Sequence, residues 1–267
     1  MHTLTGVGLA DVQAVYAGAE GDLWELVMGE QIHIGGLSSS MELADRAGIP
    51  EGSRGLDLCC CNGAGMRFLV RFRQVAHMTG VDATERIVER GRQRTAEEGL
   101  SDSVDFVLGD ATDTGLPDAE FDFVWGEDAW CYVEDKGQLI GEAARLVRPG
   151  GTVAFTDWVA GSEQMSDDEA ERYLRFMKFP NILAIDDYRA LLEEHGCHVE
   201  AADNTDRFPS HVDLYLDMLN KQLTYDALKI IGFDMELMQS LGGEMVFIQQ
   251  LAHAGKICQG RFVAKRG

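Results

Sequence analysis

The stretch Arg54-Gly-Leu-Asp-Leu-Cys-Cys-Cys-Asn-Gly-Ala-Gly-Met66 decides the fold. Gly55 to Cys61 reads as a short apolar strand. Gly63-Ala64-Gly65 then turns the chain into a helix from Met66 to about Phe72. A strand running through a glycine turn into a helix is the first half of a βαβ unit. The same rhythm continues outward. Val75 to Val81 is a second strand ending at Asp82, with a helix from Thr84 to Glu98. Val104 to Leu108 is a third, ending at Gly109-Asp110, and Phe121 to Trp125 is a fourth, ending at Gly126-Glu127-Asp128. A helix over Lys136–Leu146 and a turn at Pro149-Gly150-Gly151 lead into a fifth strand, Thr152 to Asp157. Strands alternating with helices at this spacing predict an α/β domain with a parallel sheet covered on both faces.

Past Asp157 the pattern loosens. Asp186–His195 reads as a helix, Cys197–Ala202 as a sixth strand and Ile257–Ala264 as a last one, giving a mostly parallel seven-stranded sheet. Between the last two, Ser210–Met238 and Glu244–Leu251 look helical and amphipathic. The connection is too long for a hairpin, so a helical insert is expected at about residues 205–255. Upstream, residues 1–50 read as a helical lid with Val12, Tyr16, Leu23, Trp24 and Leu26 to Met28 as buried candidates. Ser38 to Ser40 would cap a short helix, Met41 to Ala47. The main domain then spans residues 51–267.

Composition narrows the function. Lys and Arg total 23 against 45 Asp and Glu, a formal charge of −22. Nucleic-acid binding needs a basic surface to displace counterions, and an anionic membrane would repel this one. The acidic, lysine-poor surface suits a salt-rich cytoplasm as well as an ordinary acidic cytosolic protein. No run of about eighteen apolar residues suggests a membrane span. The N-terminus lacks the basic and apolar regions of a secretory signal, so a cytoplasmic location is expected. The six cysteines follow no zinc-binding spacing and are read as reduced thiols, and no metal is expected.

Ligands of open α/β sheets sit beyond the carboxyl ends of the strands. Here those ends carry Asp57 within the first strand, Asp82 after the second, Asp110 after the third and Glu127 after the fourth. Asp82 stands about nineteen residues past Gly63, where an acid can take two ribose hydroxyls. Asp110 can accept from an adenine amino group. A nucleoside-containing ligand accounts for all of them together.

Asp57-Leu-Cys-Cys-Cys-Asn-Gly63 resembles the Asp-x-Gly-x-Gly-x-Gly loop of class I S-adenosylmethionine-dependent methyltransferases. Leu146-Val-Arg-Pro-Gly-Gly151 is similar to that family's motif before the fifth strand. The resemblance implies a Rossmann-like methyltransferase fold, S-adenosyl-L-methionine as cofactor and a small-molecule substrate. It places Asp57, Cys59, Cys61 and Gly63 at the methionine moiety, Asp82 and Ala83 at the ribose, Asp110 and Ala111 at the adenine, and Glu127 on the open side. Two family glycines are Cys59 and Cys61 here, and cysteine tolerates positive φ poorly. Either the loop has a different shape with thiols in the pocket, or cofactor binding is weakened.

Tyr16, Trp24 and Gly29-Glu-Gln-Ile-His-Ile-Gly35 resemble the lead-in of the glycine/sarcosine/dimethylglycine N-methyltransferase subgroup. So does Asp122-Phe-Val-Trp-Gly-Glu-Asp-Ala-Trp130, with Tyr132 where a His often sits, and so does the tail from Ala254 to Val263. This implies methyl transfer to the nitrogen of a small amine or amino acid, with His33 and Tyr132 positioning the acceptor and taking its proton. His33 serves equally as a backbone-bonding residue that holds the lid shut. Arg172, Arg175, Lys178 and Arg207 are candidate cations for a carboxylated amine, and His211 and Tyr215 are candidate cap residues. An O-, S- or C-methyltransferase of a natural product and a non-catalytic binding protein with the same fold are the alternatives. The chain is compatible with a homodimer.

Overall fold

The computed structural model describes residues 2–267. Its main sheet has seven strands: β1 (Arg54–Leu58), β2 (His77–Asp82), β3 (Val104–Leu108), β4 (Phe121–Glu127), β5 (Val147–Ala160), β6 (Cys197–Asn204) and β7 (Ile257–Arg266). They lie in the order β3-β2-β1-β4-β5-β7-β6. β1 to β5 pair in parallel, and β7 is antiparallel to both of its neighbours. The chain moves from β1 to one sheet edge through β2 and β3, then returns to the other side of β1 as β4. The strand order therefore reverses between β1 and β4, which leaves a crevice beyond their carboxyl ends.

Alternation along the strands explains the two covered faces. Leu56, Leu58, Val124, Phe155 and Phe262 point to one side, beneath α6 (Lys136–Leu146) and α8 (Ile185–Glu194). Met78, Phe123, Trp125, Ala154 and Val263 point to the other, beneath α3 (Gly36–Ala47) and α4 (Ala64–Arg73). On the first side Phe155 stacks on Trp130 at 4.0 Å and on Phe262 at 4.5 Å, which ties the parallel half to the antiparallel strand. α5 (Glu85–Glu97) follows β2 and packs mainly against β3.

The N-terminal fifty residues form α1 (Leu9–Tyr16), α2 (Ala19–Met28) and α3. α3 starts at Gly36, with Gly35 before it in the left-handed region. Ser38 to Ser40, expected as its cap, instead lie inside it, with Ser39 and Ser40 buried. The Gly35-Gly36 pair, at φ 91° and 48°, turns the chain there, which a pattern reading of the serines does not reveal.

The region past β5 is more ordered than its pattern suggests. α7 (Asp167–Met177), not anticipated, begins with a Ser166–Glu169 capping box. Between β6 and β7 lie α9 (Phe208–Lys221), α10 (Thr224–Ile230) and α11 (Met235–His253), so the expected long helix is broken twice. Phe208, Val212, Ile248 and Leu251 of these helices share a third apolar cluster with Ile34, Trp158 and Tyr173. The turn expected at Pro149-Gly150-Gly151 survives within β5 as an irregularity. Gly150 has φ 75°, and the β4–β5 register shifts between Phe121 and Phe123.

β5 ends where backbone meets backbone: a Cβ on Gly161 would lie 2.0 Å from the carbonyl oxygen of Gly255, just before β7. Neither group is the end of a flexible side chain, so the strands themselves would have to part. Gly161→Ala is expected to destabilise the fold by about 1–3 kcal/mol in urea denaturation. An unchanged midpoint would contradict this contact.

Candidate active site

A cavity of about 720 Å³ opens beyond the carboxyl ends of β1, β2 and β4. Of the residues expected there, Asp57, Cys59, Cys61, Asp82, Ala83, Asp110, Ala111, Glu127, His33 and Tyr132 all line it. Gly63 does not. A Cβ on Gly63 would lie 2.4 Å from the ring of Phe106, so this residue, at φ 76°, faces the core and turns the chain into α4.

Three carboxylates converge because of strand register. Asp57 is level with Gly80 and Trp125 on the flanking strands, so Asp82 and Glu127 project one step further on either side. A Cβ on Gly65 would lie 3.0 Å from Glu127 Oε2 and 3.6 Å from Asp57 Oδ2, which locates both acids over the start of α4. Burial, then the charges of Glu127 and Asp82, pushes the Asp57 carboxyl well above its ordinary range. Burial also raises Asp82, partly offset because it accepts from the N–H groups of Thr84 and Cys61, each at 2.9 Å. Asp110 is exposed at the rim, with Oδ1 accepting from the Thr112 backbone and hydroxyl at 2.8 Å.

The two cysteines leave the loop closer to the glycine pattern than their side chains suggest. Cys59 has φ 64° and Cys61 φ 48°, so both hold the left-handed conformation for which glycine is suited. The loop keeps a glycine-like backbone and places thiols on the cavity wall. These thiols are un-ionised: burial drives Cys59 and Cys60 well above the usual thiol range and Cys61 to about 12. Keeping the loop in this shape lets the Cys61 N–H reach Asp82, and the Cys59 and Cys60 N–H groups reach Val81 O at 2.8 and 3.1 Å.

The opposite wall comes from the N-terminal segment. His33, 3% exposed, has Nε2 at 3.1 Å from Ser40 Oγ and 3.4 Å from Glu127 Oε1. Ser40 donates its single hydroxyl proton to Glu127 at 2.7 Å. Nε2 of His33 must therefore carry the proton it shares with Ser40. In that tautomer Nδ1 is unprotonated, and its lone pair faces Ile34 O at 3.4 Å and not the cavity. Tyr16 donates to Tyr132 at 3.0 Å, and Tyr132 packs edge-on against Phe179. Burial raises both phenols well above the usual range, so they are held protonated. A phenol in that state positions by hydrogen bonding and takes up no proton.

The candidate cations are elsewhere. Arg172 pairs with Glu244 at 3.0 Å, Arg175 with Glu171 at 2.7 Å, and Arg207 with Glu42, while Lys178 donates to Arg175 O. None of them lines the cavity, and neither do His211 and Tyr215. Among the described residues Lys136 is its one Lys or Arg, and Lys136 Nζ is buried on the carbonyls of Cys131 and Val133. Sequence reading missed Ser40 as the bridge to Glu127 and Tyr16 as the partner of Tyr132. These contacts join residues 87 and 116 positions apart, for which local pattern carries no signal.

Residues 56–155, spanning β1 to β5, match the family model described as methyltransferase domain. The chain is 32% identical over 201 residues to the 27-O-demethylrifamycin SV methyltransferase of Amycolatopsis mediterranei, covering 70% of this chain and 74% of that one. This chain is a class I S-adenosylmethionine-dependent methyltransferase. Other curated relatives are longer, and the chain spans 46% and 40% of two of them. In fold it is similar to a Galdieria sulphuraria protein provisionally assigned as a sarcosine dimethylglycine methyltransferase. The TM-score is 0.82 at 20% identity, with 93% of this chain and 98% of that one covered. It is also similar to phosphoethanolamine N-methyltransferase 2 of Haemonchus contortus, a structure in complex with S-adenosylhomocysteine. That TM-score is 0.85 at 19% identity, covering 95% of this chain and 58% of that one.

If the loop backbone is glycine-like already, Cys61→Gly in this methyltransferase removes strain without moving the N–H that reaches Asp82. Its affinity for S-adenosylhomocysteine is expected to stay within about threefold of wild type by calorimetry. Cys61→Val, β-branched at φ 48°, is expected to lose about 2 kcal/mol of stability. A loss of affinity beyond about tenfold in Cys61→Gly would contradict the backbone argument.

Proposed function

We propose that this methyltransferase transfers the methyl group of S-adenosylmethionine to the nitrogen of a small amine that carries no anionic anchor. The supporting observation is the composition of the cavity wall. It has phenols held protonated and buried carboxylates, and among the described residues no lining Lys or Arg side chain is free to pair with a carboxylate or phosphate.

The donor set fits the cofactor. S-adenosylmethionine brings an ammonium, a carboxylate, a sulfonium and a nucleoside; Asp57, Glu127, Asp82 and Asp110 oppose the cationic and nucleoside parts, and the carboxylate is left to neutral donors of the wall. The bound cofactor supplies an electrophilic methyl carbon for in-line displacement. In this reading Asp57 and Glu127 take the methionine end over Gly65. Cys59 and Cys61 shape the loop, with Gly63 setting its exit into α4. Asp82 still has lone pairs for ribose hydroxyls beside Ala83, whose carbonyl is tied to Gln13 at 2.7 Å. Asp110 and Ala111 flank the adenine. The first fifty residues act as the lid and residues 205–255 as the insert that backs it.

At the acceptor end Tyr16 and Tyr132 form one hydrogen-bonded unit. Tyr16 Oη keeps lone pairs that can accept an N–H, and Tyr132 keeps its own hydroxyl proton for donation. An amine that gives one N–H to this pair keeps its lone pair for attack, so alignment and exclusion of water suffice once it is neutral. An alcohol would need a base, and neither His33 nor Tyr132 presents one. His33 in this reading holds Glu127 in place through Ser40. The missing cation weighs against glycine, sarcosine or dimethylglycine and favours cationic or neutral amines. The relationship to the rifamycin enzyme supports a second reading, O-methylation of a natural-product hydroxyl.

Labelled cofactor supplied with the three glycine derivatives, with monomethylethanolamine and other primary or secondary uncharged-tail amines, and with hydroxylated polyketides separates these readings. Methylation of the anchor-free amines above the amino acids is expected. Turnover of hydroxylated polyketides alone would replace the amine reading. Absence of cofactor-product binding would leave a non-catalytic protein. Tyr132→Phe is expected to lower kcat about ten- to a hundredfold with little change in S-adenosylhomocysteine affinity.

The acid cluster also sets a pH dependence. Asp57 has its pKa raised in the free protein, and a cationic ligand beside it favours the ionised form. Binding must then release protons at and below that raised pKa, so affinity falls as pH drops through it. Calorimetry in buffers of different ionisation enthalpy should detect the release, and Asp57→Asn should abolish it. A pH-independent affinity would argue against Asp57 facing the cationic end of the ligand.

A further inference from the structure

Gln259 lies on β7, outside the cavity, and is completely buried. Its amide nitrogen donates to Ile34 O at 3.1 Å and to both oxygens of Asp128, at 2.8 and 3.0 Å. Its amide oxygen accepts from the Thr205 hydroxyl at 2.9 Å, and its carbonyl accepts from the Thr205 N–H at 3.0 Å. The Ile34 carbonyl and the Asp128 carboxylate, which only accept, fix which way the amide points. Asp128 in turn accepts from the Ile34 N–H at 2.7 Å. Both polar backbone groups of Ile34 are therefore held by one side-chain pair drawn from β7 and from the residue after β4.

Ile34 itself is fully buried and follows His33, whose ring meets Ser40 and Glu127. Asp128 follows Glu127 directly and sits at φ 52°, a left-handed turn that sends the two neighbouring carboxylates to different places. Glu127 goes to the cavity over Gly65 and Asp128 goes to Ile34. Asp135, Asp157 and other acids nearby make their own contacts and none replaces this pair: Asp157 accepts from the Cys131 N–H at 3.0 Å and the Tyr188 hydroxyl at 2.6 Å.

We infer that Gln259 and Asp128 form a clamp that positions the cavity's lid wall, so that Gln259 is a positioning residue for cofactor binding although it touches no part of the cavity. The clamp fixes the backbone on either side of His33 and Glu127 at once. Without it a buried carbonyl and a buried N–H of the lid segment lose their partners, and the segment gains alternatives to the closed arrangement. The inference rests on the lid reading above, in which the segment around His33 covers the cofactor.

The test uses the full-length chain in five forms: wild type, Gln259→Leu, Gln259→Glu, Asp128→Asn, and the double variant Gln259→Glu with Asp128→Asn. In the double variant the amide and the carboxylate exchange places, so the amide at 128 can donate to the carboxylate at 259 while its oxygen still accepts from the Ile34 N–H; Ile34 O loses its Gln259 donor, so recovery is partial. S-adenosylhomocysteine affinity is measured by calorimetry, and amide exchange of residues 30–36 by mass spectrometry. Each single change at 259 is expected to weaken binding about tenfold and to speed exchange of that segment. The double variant is expected to recover at least half of the loss on a logarithmic scale, which a general weakening of the core would not do. Phe262→Leu, a core change three residues away, is expected to lower Tm without the selective exchange at 30–36. Binding and exchange unchanged in Gln259→Leu, or no recovery in the double variant, overturns the clamp while leaving the cofactor site standing. A wild type that binds no S-adenosylhomocysteine removes both.

Discussion

Buried acids gathered at one end of a parallel sheet are electrostatically expensive, and the rest of this structure is organised around them. Asp57 is buried beside Glu127 and near Asp82, and the cavity's one Lys or Arg among the described residues, Lys136, has its ammonium on backbone carbonyls. Burial, then the charges of Glu127 and Asp82, raises the proton affinity of Asp57, and the gathered acids favour whatever positive charge enters the crevice. The sheet tolerates this because the acids stand at strand ends, where the backbone can supply donors. Asp82 is held by two N–H groups from neighbouring loops, and Glu127 by Ser40 from α3. A methyltransferase cofactor with an ammonium and a sulfonium is the complement of such a site.

The N-terminal segment completes the site through polar contacts with the core. Arg90 of α5 donates to Asp22 at 2.8 Å and to Glu25 at 3.1 Å, and Arg94 reaches Glu25 at 2.5 Å, which holds α2 against the domain. Arg67, buried in α4, pairs with Glu30 at 2.9 Å, and Asn62 of the glycine-turn loop donates to Glu30 O at 3.0 Å. The loop that follows β1 is thus tied directly to the wall that covers it. Three of the eight non-glycine positive-φ positions among the described residues, Cys59, Cys61 and Asp128, stand at this site, where unfavourable backbone shapes the cavity wall.

Net charge and site charge point the same way for different reasons. A formal charge of −22 is a property of the whole surface and bears on solubility and partners. The carboxylates of the cavity are a local arrangement made by register. The arginines the chain does have are largely occupied with acids, as Arg172, Arg175, Arg207 and Arg261 show. A count of cations in the sequence gives no sign of that.

By itself the sequence determined the layered α/β architecture, the seven strands and the acids at their tips. Each of these is written in local periodicity and in the residue that follows a strand. Strand ends moved by a few residues at β2, β5 and β7, and the serines of α3 proved to be interior and not capping, because glycine φ at 35 and 36 outweighed the cap preference. Only the tertiary structure decided that Gly63 faces Phe106 while Gly65 faces the acids, since both are glycines of one turn. It alone decided that Tyr132 is a protonated partner of Tyr16, and that His33 spends its proton on Ser40. Gln259 was invisible as well, a polar residue in an apolar strand whose partners lie 131 and 225 positions away. Hydrogen bonds at such separation depend on the relative placement of whole elements, which local patterning does not encode.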